Sequence, residues 1–113
     1  MIDLDKLLAL PGAVAAGEFG VGGSLIQYKG ALSPEQARAF AQQCAADTLM
    51  GRSQAQMIAD LTGLELRPFR GWAMLAGEYT ICVLGEIGVI LRTGEAKLDE
   101  VFAALETQAL IPE

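Results

Sequence analysis

Histidine is absent from this sequence, and only two of its 113 residues are cysteine. The missing imidazole removes the commonest general base and the commonest zinc ligand together. Cys44 and Cys82 lie far apart, with no second cysteine two residues from either, so the chain carries neither a redox pair nor a thiolate metal motif. Charge is also sparse, at 19% of residues, and it is unbalanced: eight Lys and Arg against fourteen Asp and Glu leave a net charge of −6. Such a chain repels phosphate backbones, and its few cations are dispersed rather than striped, which argues against nucleic acid as a partner. No apolar run approaches the roughly 18 residues that cross a bilayer. The opening Met1-Ile2-Asp3-Leu4-Asp5 places acid where a secretory signal needs base, so a cytoplasmic protein that does not enter a membrane is expected.

What is abundant is apolar side chain, 52% of the total. The length fits one domain, and a core of that size does not absorb so much apolar surface. A contact between copies of the chain is therefore expected.

The elements can be placed by periodicity and punctuation. Leu4, Leu7 and Leu8 repeat at helical spacing after Asp3 and stop at Pro11-Gly12, which predicts a short first helix. Ala13 to Phe19 and Leu25 to Lys29, joined by Gly20-Val21-Gly22-Gly23-Ser24, read as a β-hairpin. Ser33-Pro34-Glu35-Gln36 then starts a helix: the hydroxyl can cap, proline has no amide to waste at the first position, and Gln36 can reach back. Ala37, Ala41, Cys44, Thr48, Gly51, Ala55, Ile58 and Thr62 follow in steps of four and three, with Phe40, Ala45 and Ala59 beside them, until Gly63 offers a C-cap. The stripe predicts one long helix. Its small side chains, and Gly51 at its middle, imply the close approach of another backbone. Glu65 to Met74, Tyr79 to Leu84 and Ile87 to Arg92 read as three strands whose short connections require antiparallel pairing. Leu98, Val101, Phe102 and Leu105 share one face of a final helix, with Glu95, Asp99, Glu100 and Glu106 elsewhere on it.

This order of elements resembles the roadblock/dynein-light-chain superfamily over the whole chain, and within it the uncharacterised domain-of-unknown-function 2173 family of prokaryotes. The resemblance is carried by Leu10-Pro11-Gly12-Ala13-Val14-Ala15-Ala16-Gly17, Tyr28-Lys29-Gly30, Cys44-Ala45-Ala46, Gly71-Trp72-Ala73 and Cys82-Val83-Leu84-Gly85. It implies an α+β, profilin-like fold: a five-stranded antiparallel sheet in order 2-1-5-4-3, the long helix on one face and two shorter helices on the other. It also implies a homodimer made by edge strand 3 and the long helix. Some roadblock proteins regulate or scaffold small GTPases without hydrolysing nucleotide, and the resemblance carries no catalytic residues across.

Several motifs invite a chemical reading. Gly17 to Ser24 has the glycine spacing of a phosphate-binding loop, but Gly23 stands where the phosphate-contacting lysine belongs and no helix follows. As a dinucleotide fingerprint it fails at Leu25, which replaces the third glycine. Glu78, Glu86 and the acids of the last helix read as solvated faces rather than an acid/base pair. Met50 and Met57 read as core or interface filling. The richest cluster is Arg67-Pro68-Phe69-Arg70-Gly71-Trp72, since Arg and Trp are the residues enriched at binding hot spots. The competing reading is that Trp72 fills the core under the long helix while the arginines and Pro68 guard a sheet edge.

A non-catalytic homodimeric interaction or scaffold module is thus expected, one that regulates a small GTPase. It needs no cofactor or metal, and its candidate interface comprises Gly51, Arg67, Phe69, Arg70, Trp72 and Met74. The alternatives are a small-ligand or redox sensor and an accessory subunit of a redox enzyme complex.

Overall fold

The computed structural model describes residues 2–109. Its elements are α1 (Leu4–Leu8), β1 (Ala13–Phe19), β2 (Leu25–Gly30), α2 (Pro34–Thr62), β3 (Gly71–Ala76), β4 (Tyr79–Leu84), β5 (Ile87–Arg92) and α3 (Leu98–Ala109). The strands form one antiparallel sheet in the order β2-β1-β5-β4-β3. Both the element order and the strand order agree with the resemblance.

Alternation along the strands feeds two cores. Ala16, Cys82, Ile87, Val89 and Leu91 point to the face covered by α1 and α3, where Leu4, Leu7, Val101 and Leu105 meet them. Phe19 and Val83 point to the other face and pack under Ala41, Cys44 and Ala45 of α2, with Phe40 and Trp72 alongside. A one-residue slip of any central strand would exchange the two sets, which pins the register.

The long helix begins as its sequence dictates. The Ser33 hydroxyl accepts a hydrogen bond from the Gln36 amide at 3.1 Å, and the Gln36 side chain accepts one from the Ser33 amide at 2.9 Å. At the far end the left-handed Gly63 donates to the Ala59 carbonyl. The helix spans 29 residues, about 42 Å at the usual rise. That matches the 41 Å longest dimension of the molecule and outruns a five-stranded sheet about 20 Å across. Its second half therefore projects past the sheet. Ala37, Ala41, Cys44 and Ala45 are buried, but beyond them only Ala59 is, and Ile58 and Thr62 of the expected inward stripe lie exposed.

One strand differs from expectation. The pattern of Glu65 to Met74 predicts an extended run in the sheet, but β3 starts only at Gly71 and runs on to Ala76. Pro68 has no amide for a ladder, and residues 64–70 instead wrap along α2, with Leu66 and Phe69 half-buried against it.

Candidate protein interface

The cluster from Arg67 to Trp72 does not converge on one site. Trp72 lies on the α2 side of β3, half-buried beside the second core, and its indole Nε1–H donates to the Thr48 hydroxyl at 2.8 Å. Phe69 rests against the middle of α2: a Cβ added at Gly51 would stand 2.7 Å from the Phe69 ring tip. Gly51 thus admits a ring of its own chain, and not the second helix backbone that its place in the small-residue stripe implies. Arg70 turns to the opposite face and pairs with Glu106 of α3. Arg67 pairs with Glu65 across solvent at 3.6 Å. Both pairs are exposed and contribute little stability. Met74 alone of the six candidate residues is an exposed apolar side chain on the edge strand.

Around these residues lies an apolar surface the candidate set only touches. Between the projecting half of α2 and the segment leading into β3 runs an open groove of about 610 Å³, walled by Gly51, Ala55, Ile58, Leu66, Phe69 and Trp72. Beside it Met50, Met57 and Leu61 stand bare on α2, Leu61 at 80% exposure, and Met74 extends the surface along β3, whose Leu75 is exposed on the opposite face. Burying one such side chain completely is worth about 1.5 to 3 kcal/mol, so leaving this many in water is costly unless something covers them. The strand itself is open. β3 bonds only to β4, and Gly-Trp-Ala-Met-Leu-Ala holds no proline and no charge to discourage pairing. The opposite edge, β2, is guarded by Lys29, which reaches Asp5 of α1 at 2.8 Å.

Sequence reasoning missed Leu61 and Leu75, and it placed Ile58 on a stripe of the long helix without showing that this part of the stripe lies beyond the sheet. The signal was present nonetheless: a capped helix of this length beside six-residue strands must overhang them.

The thiols sit on opposite faces of the sheet, Cys44 in the α2 core and Cys82 in the α1/α3 core. The sheet between them prevents a disulfide without unfolding. Burial, and to a lesser degree the Asp47 carboxylate, pushes Cys44 from an ordinary 9.0 up to about 12, and burial alone pushes Cys82 up to about 11. A raised thiol pKa favours the folded state fully below pH about 9, and that contribution is lost as pH climbs through the folded values. Titration with an aromatic disulfide at pH 8 is therefore expected to label neither cysteine rapidly until denaturant is added. Fast labelling of either in the native protein would contradict this placement.

The glycine-rich stretch is the turn of the β1–β2 hairpin, closed by Gly20 N–H to Ser24 O at 2.8 Å, and it leads into a strand. No helix among the described residues is long and apolar enough to cross a membrane.

A family model described as "Uncharacterized conserved protein (DUF2173)" matches residues 3–107. No curated protein matches the chain. Among solved structures, a Roadblock/LC7 domain from Streptomyces avermitilis is similar with a TM-score of 0.77 at 15% identity, over 93% of this chain and 86% of that one. The gliding protein MglB from Thermus thermophilus gives 0.74 at 19% identity, over 95% and 80%. An MglB with a tetrameric arrangement gives 0.75 at 18% identity, over 95% and 79%. At such identities the likeness is one of fold, and that fold is the roadblock type.

Proposed function

The chain belongs to the family described as Uncharacterized conserved protein (DUF2173), and on that footing and its roadblock fold we propose that it is a non-catalytic, homodimeric interaction module that regulates or scaffolds a small GTPase. The observation that carries the dimer is the continuity of two bare features. The unguarded β3 edge runs directly into the apolar groove under the overhanging half of α2. A second copy related by a two-fold axis would satisfy both at once, strand against strand and the exposed face of each α2 over the other's groove. Of the six candidate residues, Met74 would touch the partner copy directly, while Phe69, Trp72 and Gly51 shape the groove floor. Arg67 would lie at its polar rim, whereas the Arg70 guanidinium, paired with Glu106 on the other face, would lie away from it.

The redox-sensor alternative is disfavoured by two thiols that are buried, separated by the sheet and raised in pKa. For the GTPase, the support is the fold shared with MglB proteins. Affinity purification of the tagged chain from its native cells, with lysate supplied with GDP or with a non-hydrolysable GTP analogue, tests the partner. Recovery of a small GTPase in one nucleotide state only is the expected result, and recovery of a redox enzyme complex would overturn the assignment. The isolated chain itself is expected to bind neither ATP nor GTP at micromolar concentration by titration calorimetry. Gly23 supplies no cation, and its turn opens a strand rather than a helix N-terminus.

A further inference from the structure

We propose that the flank of α2 turned away from the groove is a second docking surface, and that its partner presents a bulky apolar side chain flanked by acidic residues. Helix periodicity places Arg38, Ala45, Leu49 and Arg52 on that one side, opposite Gln54 and Ile58 of the groove wall. There the β1–β2 turn lies against the helix: a Cβ on Gly23 would come within 3.3 Å of the Gln42 Cα. The turn, the helix and the β4–β5 turn together enclose a notch of about 110 Å³. Its floor is the buried Phe19 and Ala45, and at its rim Val21 and Leu49 are 65% and 53% exposed. Small-molecule sites run to about 300 Å³ and above, so the notch suits a single inserted side chain rather than a cofactor.

Charge identifies what surrounds that side chain. Arg38 and Arg52 are the only cations of α2, and both fall on this flank. Lys29, Arg67, Arg70 and Arg92 each have an acid within ion-pair distance, whereas among the described residues Lys6, Lys97, Arg38 and Arg52 have none, and of these only the two arginines share one element. Glu86, which also lines the notch, does not reach Arg52. In a chain of net charge −6, two arginines with no ion-pair partner leave the helix backbone about 21 Å apart along one side, with the apolar rim between their points of attachment. A partner segment of about four helical turns spans that distance, with its anchor in the notch and acids at its ends. The flank lies across α2 from the groove, so a second copy and this partner would not compete. The proposal rests on the reading of the chain as an interaction module but not on its dimerisation.

The test uses the whole chain and a phage-displayed library of random peptides about 16 residues long, enough for four turns. Selection is expected to enrich peptides with one large apolar residue and acids to either side. Synthetic versions should bind about tenfold or more weakly to Leu49→Glu and to Arg52→Glu, with thermal stability and oligomeric mass unchanged. Peptides with lysine in place of the acids should bind the Arg38→Glu, Arg52→Glu double variant better than the wild type, a reversal that a merely structural role would not produce. Enrichment of basic or uncharged sequences, no enrichment, or binding indifferent to Leu49→Glu would overturn the proposal. A monomeric chain that still binds acidic peptides here would remove the dimer and leave this surface standing.

Discussion

Light scattering coupled to size exclusion is expected to return twice the 11.9 kDa chain mass for the wild-type protein, and the single-chain mass for a Met74→Lys, Leu61→Glu variant at micromolar concentration. Met74 is exposed on the edge strand and Leu61 on the overhanging helix, so neither change disturbs the cores of the isolated chain. Each places a charge where the dimer would need a dry surface. Truncating an interface anchor typically costs about 2 kcal/mol, and in an isologous contact each substitution acts twice. The pair should thus weaken association by well over a thousandfold, since every 1.4 kcal/mol is about tenfold. The lysine further repels its own copy across the strand pair. A wild-type chain that stays monomeric at all concentrations would remove the dimer from the function, while a variant that still dimerises would place its interface elsewhere. Gly51→Leu would not serve the same purpose, because the added side chain meets Phe69 within the chain.

A large loss of stability from a single methyl group is expected at Gly30. This residue closes β2 with a φ of +110°, and a Cβ there would lie 2.4 Å from the Val14 carbonyl oxygen and 2.6 Å from the Ala15 Cα. Both are backbone atoms of the adjacent β1, paired with β5 on its other side, so they cannot yield without loosening the sheet centre. Gly30→Ala combines a conformation that side chains rarely adopt with a backbone collision, together about 3 kcal/mol or more. For a domain of this size that lowers the melting temperature by about 10 to 20 °C. Gly22→Ala is the matched control, since no atom lies within 4 Å of its Cβ position, and it should change stability by less than about 0.5 kcal/mol. Circular dichroism melts at equal protein concentration decide the comparison. Equal melting temperatures for the two variants would show that β2 does not end against β1 in this way.

Local chemistry made much of the fold legible in advance. The capping box at Ser33 and Gln36, the left-handed Gly63, the turn residues between strands and the leucine spacing of α1 all act over a few residues, so they are written where they act. By itself the sequence determined that the chain has one long helix amid short antiparallel strands, an apolar excess, and no histidine or paired cysteine with which to do metal or redox chemistry. Tertiary structure decided where those side chains went. The periodicity of α2 marks one apolar side along its whole length, yet past the sheet beneath it only Ala59 is buried, and only the packed chain shows that Ile58 and Leu61 lie exposed there. The run from Arg67 to Trp72 reads as one site because its residues are adjacent. The backbone instead sends Phe69 and Trp72 to one face of the sheet and Arg70 to the other, because Pro68 keeps the segment out of the ladder and Gly51 leaves a seat for a ring. The uncompensated charge of Arg38 and Arg52 was equally invisible, since whether a cation has a partner depends on which acids the fold brings near it, and sequence distance does not report that.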